Sequence, residues 1–92
     1  MPQWQGGDEP AYRFGAELLR WLAPTHNGPE ESVVVPEPHG GVPKIDHGIK
    51  SRAALLSQAR AARAAIERHH PDRIVTLGGD CLVDLAPIAY LN

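Results

Sequence analysis

The sequence predicts an α/β fold in which short parallel strands pack against helices. Three observations support this class. A β-branched run occurs at Val33–Val35, a long amphipathic segment at Ser51–His69, and a second apolar run at Ile74–Leu77. A strand, a helix and a strand in this order predict a right-handed crossover with parallel pairing. Because parallel sheets are covered by helices on both faces, we expect both runs to be buried.

Length and composition limit the class of protein. A chain of 92 residues is at most one small domain, and 42% hydrophobic with 22% charged residues is ordinary for a soluble globular protein. Neither a membrane-spanning run nor a signal peptide is evident, which predicts a cytoplasmic protein with no membrane partner. The net charge of −2 gives no electrostatic basis for binding nucleic acid. The single cysteine, Cys81, fits a reducing compartment.

The first predicted element is a helix over Tyr12–Leu22, which Pro24 stops. Its apolar residues recur at i, i+4, i+7 and i+8 and form one stripe. These residues are Phe14, Leu18, Trp21 and Leu22.

The remaining elements follow in order. Glu31–Pro36 is predicted to be a strand and Glu37–Gly48 a surface loop. The helix Ser51–His69 has Ser51 available as its N-cap and an alanine-rich face suited to close packing. After the strand Ile74–Leu77, Asp84 is predicted to cap a last helix with Pro87 in its first turn. The apolar stripe of the long helix is Leu55, Ala59, Ala62 and Ile66.

The candidate site is the turn Gly78, Gly79, Asp80 and Cys81, because open α/β sheets place their chemistry at the carboxyl ends of strands. The glycines permit a positive φ or a close approach of another group. Asp80 is expected to accept hydrogen bonds from loop N–H groups in preference to binding a metal. From the residues alone, two alternatives remain open for Cys81: a small buried residue, or a nucleophile activated by a helix N-terminus.

Other polar residues are expected to be solvated. Five histidines contain no i, i+4 pair on one helical face, so they are interpreted as surface residues: His26, His39, His47, His69 and His70. Arg52, Arg60 and Arg63 lie opposite the apolar stripe of their helix, which favours a solvated face over a nucleic-acid site. The glycine-rich loop Gln5–Asp8 is either a simple connection or a loop that lines a site.

The turn after Leu77 resembles the corresponding loop of the arginase family, which includes arginase, agmatinase and formiminoglutamase. In that family the sequence is Gly-Gly-Asp-His, and the histidine binds one of two manganese ions. Gly78, Gly79 and Asp80 match, and Cys81 stands at the histidine position. The start of the chain is similar to the family's first loop and following helix through Gly6, Gly7, Gly15, Ala16, Leu18, Leu19 and Arg20.

This resemblance implies a partial three-layer α/β sandwich with a parallel sheet, of which residues 1–92 form the amino-terminal portion. It implies manganese-dependent hydrolysis of a guanidino or related C–N bond in the full-length protein, with Cys81 at a metal position and Gly78–Asp80 as the site loop. The family's other metal-binding motifs, Asp-x-His-x-Asp and Asp-x-Asp, do not occur. We therefore expect a fragment or truncated member that is inactive alone.

The alternative hypothesis is a small, non-catalytic α/β interaction module. A sheet of only two or three strands is marginal by itself and exposes an edge that a partner can cover. This hypothesis predicts either a homo-oligomer or a complementing chain.

Overall fold

The computed structural model describes residues 1–5, 11–36, 45–46 and 48–92, and these form a mainly helical structure. Three α-helices account for most of it. They are α1 (Ala11–Leu22), α2 (Arg52–His69) and α3 (Leu85–Leu91), with a 3-10 helix at Cys81–Asp84 immediately before α3. Two short strands, β1 (Ile45–Asp46) and β2 (Ile49–Lys50), lie between α1 and α2.

The two longer helices begin and end close to the predicted residues. Helix α1 ends two residues before Pro24, and α2 ends where His70 adopts a left-handed conformation at φ 44°. The N–H of His70 donates to the Ile66 carbonyl at 3.2 Å, which satisfies one of the last carbonyls of α2 before Pro71. The predicted N-cap role of Ser51 is wrong, since its φ is 54° and its side chain makes no capping hydrogen bond.

The predicted α/β fold with a parallel sheet, and with it the partial three-layer sandwich, is wrong for the described residues. Neither Glu31–Pro36 nor Ile74–Leu77 forms a strand. Val34 and Val75 are 88% and 86% exposed, so neither segment has the two covered faces of a parallel strand.

Hydrogen bonding gives the physical reason for this difference. The Val35 carbonyl accepts from the Arg13 guanidinium at 2.9 Å, and the Pro36 carbonyl accepts from the Trp4 indole at 2.8 Å. The Leu77 carbonyl accepts from the amino group of Met1 at 2.6 Å. These backbone carbonyls are therefore already hydrogen-bonded to side chains or to the first residue, and they are not available to a neighbouring strand.

A small antiparallel hairpin overlaps the end of the predicted loop Glu37–Gly48 and extends two residues beyond it. Ile45 pairs with Lys50 and Asp46 with Ile49, which leaves a two-residue connection. Its second residue, Gly48, has φ 75°, a conformation that glycine adopts at little cost. The rest of the predicted loop, residues 37–44 and 47, is outside the described residues, as are His39 and His47.

Helices α2 and α3 pack against each other. The buried apolar side chains of the described residues are small, and they come from α1, the segment before Pro36, α2 and the 3-10 helix: Ala16, Val35, Ala62, Ala65 and Val83. Small side chains allow helices to approach closely, but each removes little apolar surface from water. The core of the described residues therefore allows close packing of its elements but buries little apolar surface.

The last helix also differs from its prediction. Asp84 makes no side-chain capping bond to α3, and Pro87 is buried as the third residue of that helix. The capping carboxylate belongs instead to Asp80, one 3-10 turn earlier. The helical segment therefore begins at Cys81, and its first turn is the tighter form.

Candidate functional site

The turn Gly78–Cys81 connects the irregular segment after Pro71 to the 3-10 helix. Asp80 is buried, and its carboxylate accepts a hydrogen bond from the Leu82 N–H at 3.0 Å. Its backbone is extended, at φ −87° and ψ 175°, as expected of an N-cap residue. Asp80 thus takes the hydrogen-bonding role that the sequence favours over metal binding.

The two glycines of this turn are needed because other groups approach them closely. A Cβ placed on Gly79 would overlap the carbonyl oxygen of Gln3 and lie 3.1 Å from the Tyr12 Cβ. A Cβ on Gly78 would lie 2.8 Å from the Cβ of Val83. The obstacle at Gly79 is backbone, whereas at Gly78 it is a side chain. Close approach, one of the two predicted uses of glycine here, explains both positions.

The first residues of the chain run alongside the turn in the same direction. Besides the Met1 bond to Leu77, the Gly79 N–H donates to the Met1 carbonyl at 3.3 Å and the Asp80 N–H to the Gln3 carbonyl at 2.9 Å. Partial burial is the main cause that lowers the pKa of the Met1 amino group, and the positive charge of Arg20 lowers it further. This main-chain pairing fixes the position of the turn.

A buried pair of glutamines lies beneath the first residues. The Gln3 Nε2 donates to the Gln58 Oε1 at 2.7 Å, and each residue is only 2% exposed. The Gln3 Oε1 and the Gln58 Nε2 have no hydrogen-bond partner within the described part of the chain. A cavity of about 40 Å³ lies beside Gln3, lined mainly by apolar residues of α2 and α3. The sequence gives no signal for this pair, because neither glutamine belongs to an apolar stripe or to a recognised motif.

Cys81 lies at the surface. The thiol is exposed, so the prediction that it is a small buried residue is wrong. Among the described residues no group of three or more histidine, cysteine or acidic side chains could hold a metal ion. Asp80 is buried and occupied as a cap, and a lone thiolate is a poor ligand for manganese. The described residues therefore do not fit a manganese centre.

Several of the described histidines and arginines make ion pairs at the surface. Glu31 binds Arg68 and His69, each with a contact of 3.0 Å, and His26 lies 3.4 Å from Glu30. The pKa of Glu31 is lowered mainly by its hydrogen bond from Arg68, and the hydrogen bond from His69 adds to the effect. On α2, Arg63 pairs with Glu67 at 2.7 Å, in agreement with the predicted solvated face.

A group of exposed apolar side chains lies on α1. We define the α1 face as Phe14, Leu18, Leu19, Trp21 and Leu22, all of which are exposed. Trp21 is 79% exposed and Phe14 69%. The buried residue of the helix is Ala16, which at 3.6 residues per turn lies about 200° around the helix from Phe14.

Sequence reasoning found this stripe but gave it the wrong environment. The residues of the stripe share one side of α1, as predicted, yet that side faces away from the rest of the chain. Periodicity identifies an apolar side of a helix and does not identify what covers it. The opposite side, with Ala16, is the one held against the body of the protein.

Comparisons with known proteins identify no family. No protein-family model matches the chain, and no curated protein matches it with significant similarity. No described helix is sufficiently long and apolar to cross a membrane.

Proposed function

We propose that this chain is a non-catalytic interaction module and that the α1 face is its binding surface. The observation that carries the proposal is the exposure of Trp21 and Phe14 on the same side of one helix. Aromatic residues are enriched at the centres of protein interfaces because each supplies a large contact area at a low cost in conformational entropy.

The size of the α1 face supports this function. Two aromatic side chains of roughly 200 Å² each, together with three leucines, expose on the order of 500 Å². A contiguous apolar patch of that size is at the upper end for a monomer and is often functional. Scattered residues such as Val75 need no such explanation, because single exposed apolar side chains are common.

The charges of α1 also suit a binding surface. Arg13 donates to the Val35 carbonyl and Arg20 pairs with Glu30 at 3.0 Å, so both cations are held beside their own chain. A partner can therefore cover the α1 face without removing either arginine from its bonded group.

A dye-binding experiment tests whether this face is accessible. We expect anilinonaphthalene sulfonate to bind the dilute chain and to lose most of its fluorescence enhancement in the double variant Phe14→Ser, Trp21→Ser. The control Val75→Ser removes a side chain of similar exposure outside the face and should retain the enhancement. Equal loss in both variants, or no dye binding by the original chain, would contradict the proposal.

A second candidate function is the one implied by the resemblance, an amino-terminal portion of a manganese-dependent arginase-family hydrolase. The sequence match at Gly78, Gly79 and Asp80 supports it. The metal ligands would then come from outside the described residues.

Two measurements test this candidate. The chain alone, supplied with manganese, should release no urea from arginine or agmatine, and turnover would contradict the idea that it lacks ligands. Sequencing of the encoding transcript should reveal an Asp-x-His-x-Asp segment in continuation, and its absence would remove the candidate.

For either function we propose a cytoplasmic location, because the exposed thiol of the chain's single cysteine favours a reducing compartment.

A further inference from the structure

We propose that the occupant of the α1 face is the same face of a second copy of this chain, with the two α1 helices packed antiparallel across a twofold axis. This inference rests on the proposed interaction function and adds the identity of the partner. Closed twofold dimers use one self-complementary patch on both copies.

The area of the α1 face is consistent with such a dimer. Burying about 500 Å² on each copy removes about 1,000 Å² in total, which is near the lower limit for a specific interface. Arg13, Glu17 and Arg20 border the face along one side of α1, which limits the apolar surface that a partner can cover there. An area of this size is enough for a small self-complementary contact and predicts a weak dimer.

The distribution of side-chain sizes along α1 favours the antiparallel arrangement. Bulky Trp21 lies near the carboxyl end of α1, while Ala11 and Gly15 lie near its amino end. Among the described residues, no atom outside the neighbouring residues and the helix backbone lies within 4 Å of a Cβ placed on Gly15, so the helix surface above it is open to them. A copy turned end over end places each Trp21 toward the small residues of its partner and Phe14 toward the partner's Leu18.

The opposite side of α1 permits this contact. Ala16 packs against the body of its own chain, so the α1 face points outward from each copy. Two helices of 12 residues, each about 18 Å long, can then lie side by side over their full length without refolding of either chain.

Sedimentation equilibrium of the full chain tests the proposal. Between about 1 and 500 µM we expect a reversible monomer–dimer equilibrium with a micromolar dissociation constant, as suits a small interface. Trp21→Ser should weaken dimerisation by about tenfold or more, because buried aromatic anchors dominate such interfaces. Ile88→Ser, at an exposed residue of α3 outside the α1 face, should leave the dissociation constant within about twofold.

Disulfide trapping tests the orientation in a Cys81→Ser background. Chains carrying Ala11→Cys should cross-link with chains carrying Leu22→Cys in preference to their own kind. Predominant homodisulfides at either position would overturn the antiparallel arrangement.

Outcomes for the inference and for the proposed function are separable. A chain that stays monomeric throughout the concentration range, or that loses its dimer equally with Ile88→Ser, overturns self-association. If that monomer still binds the dye through Phe14 and Trp21, the α1 face remains a binding surface and only the partner's identity is wrong. If the dye does not bind, both proposals fail.

Discussion

Helices α1 and α2 of this protein use their apolar residues in opposite ways. The alanine-rich helix α2 buries Gln58, Ala62 and Ala65 against its neighbours. The more strongly amphipathic helix α1 buries only Ala16 and presents Phe14 and Trp21 to solvent. In α1, the amphipathic pattern therefore identifies an exposed apolar surface that a partner can cover. In α2, the small residues identify the surface that packs against the rest of this chain.

This difference separates folding from association. Substitutions around α2 and the Gly78–Cys81 turn should change the free energy of unfolding, because these groups touch at close range. Substitutions on the α1 face should change association and leave the isolated fold nearly unaffected. The predictions below test that separation, from the largest expected effect to the smallest.

Gly79→Ala should have the largest effect. Its methyl group would overlap the Gln3 carbonyl, a backbone group that cannot rotate away, and we expect a loss of about 2–4 kcal/mol in the free energy of unfolding. Urea denaturation of the dilute chain measures it. The matched control is Gly15→Ala in the interior of α1, where space is open and alanine should stabilise the fold by about 0.5–1 kcal/mol. Equal effects at both glycines would contradict the packed turn.

The two sides of α1 should respond differently to substitution. Ala16→Leu inserts a larger side chain on the buried side and should cost about 1–3 kcal/mol in unfolding free energy. Phe14→Ser on the exposed side should change it by about 0.5 kcal/mol or less at concentrations where the chain is monomeric. Thermal denaturation followed by circular dichroism compares them. A larger loss for Phe14→Ser would show that the α1 face is covered by its own chain.

The buried glutamine pair offers a test based on non-additivity. Gln58→Leu alone leaves the Gln3 amide buried without its 2.7 Å partner and should cost about 1–3 kcal/mol. Gln3→Leu alone should cost a similar amount. The double variant should recover most of the loss, because no buried amide then lacks a partner. Additive losses in the double variant would show that the two amides act independently.

The sequence predicted the local structure well where local signals suffice. The bounds of α1 and α2 follow from Pro24, Pro71 and the period of apolar residues, and both helices lie at the predicted positions. The preference of Asp80 for hydrogen bonds to loop N–H groups was also predicted, although the residue predicted to cap the helix was Asp84. These features depend on residues within a few positions of each other.

The fold class was wrong because it depends on contacts between distant segments. The valine run before Pro36 and the segment ending at Leu77 have strand composition, but the carbonyls of Val35 and Leu77 are occupied by Arg13 and Met1. Strand composition describes a fit to a half-buried pleated surface and does not provide the neighbouring strand. The sequence did not predict the hairpin at Gly48, because its strands have only two residues each and give no recognisable strand pattern.

The same limit applies to the candidate site. Gly78 and Gly79 were recognised as a turn of close approach, but the group that approaches Gly79 is the Gln3 carbonyl, which lies more than seventy residues away along the chain. The exposure of Cys81 and of the α1 face likewise depends on what the rest of the chain covers. Patterns within a segment predict which groups need a partner, and only the assembled chain decides which of them have one.

The smallest predicted effect concerns Glu31, which links the segment before Pro36 to the end of α2. Hydrogen bonds from Arg68 and then His69 hold its pKa below the ordinary 4.5. A carboxyl group whose pKa is lower in the folded state stabilises the fold above its unfolded pKa and loses that contribution as the pH falls through its folded pKa. The loss should therefore occur below about pH 4.5, and it should be small because the ion pair is exposed to solvent.

Carbon-detected NMR titration of the Glu31 carboxyl group measures this directly. Arg68→Gln should raise the pKa of Glu31 toward its ordinary value, and His69→Asn should raise it by less, in line with the order of the two hydrogen bonds. Arg63→Gln provides the control, since Arg63 pairs with Glu67 one turn earlier and should leave the Glu31 titration unchanged. A larger shift with His69→Asn than with Arg68→Gln would show that the imidazolium is the main partner of Glu31.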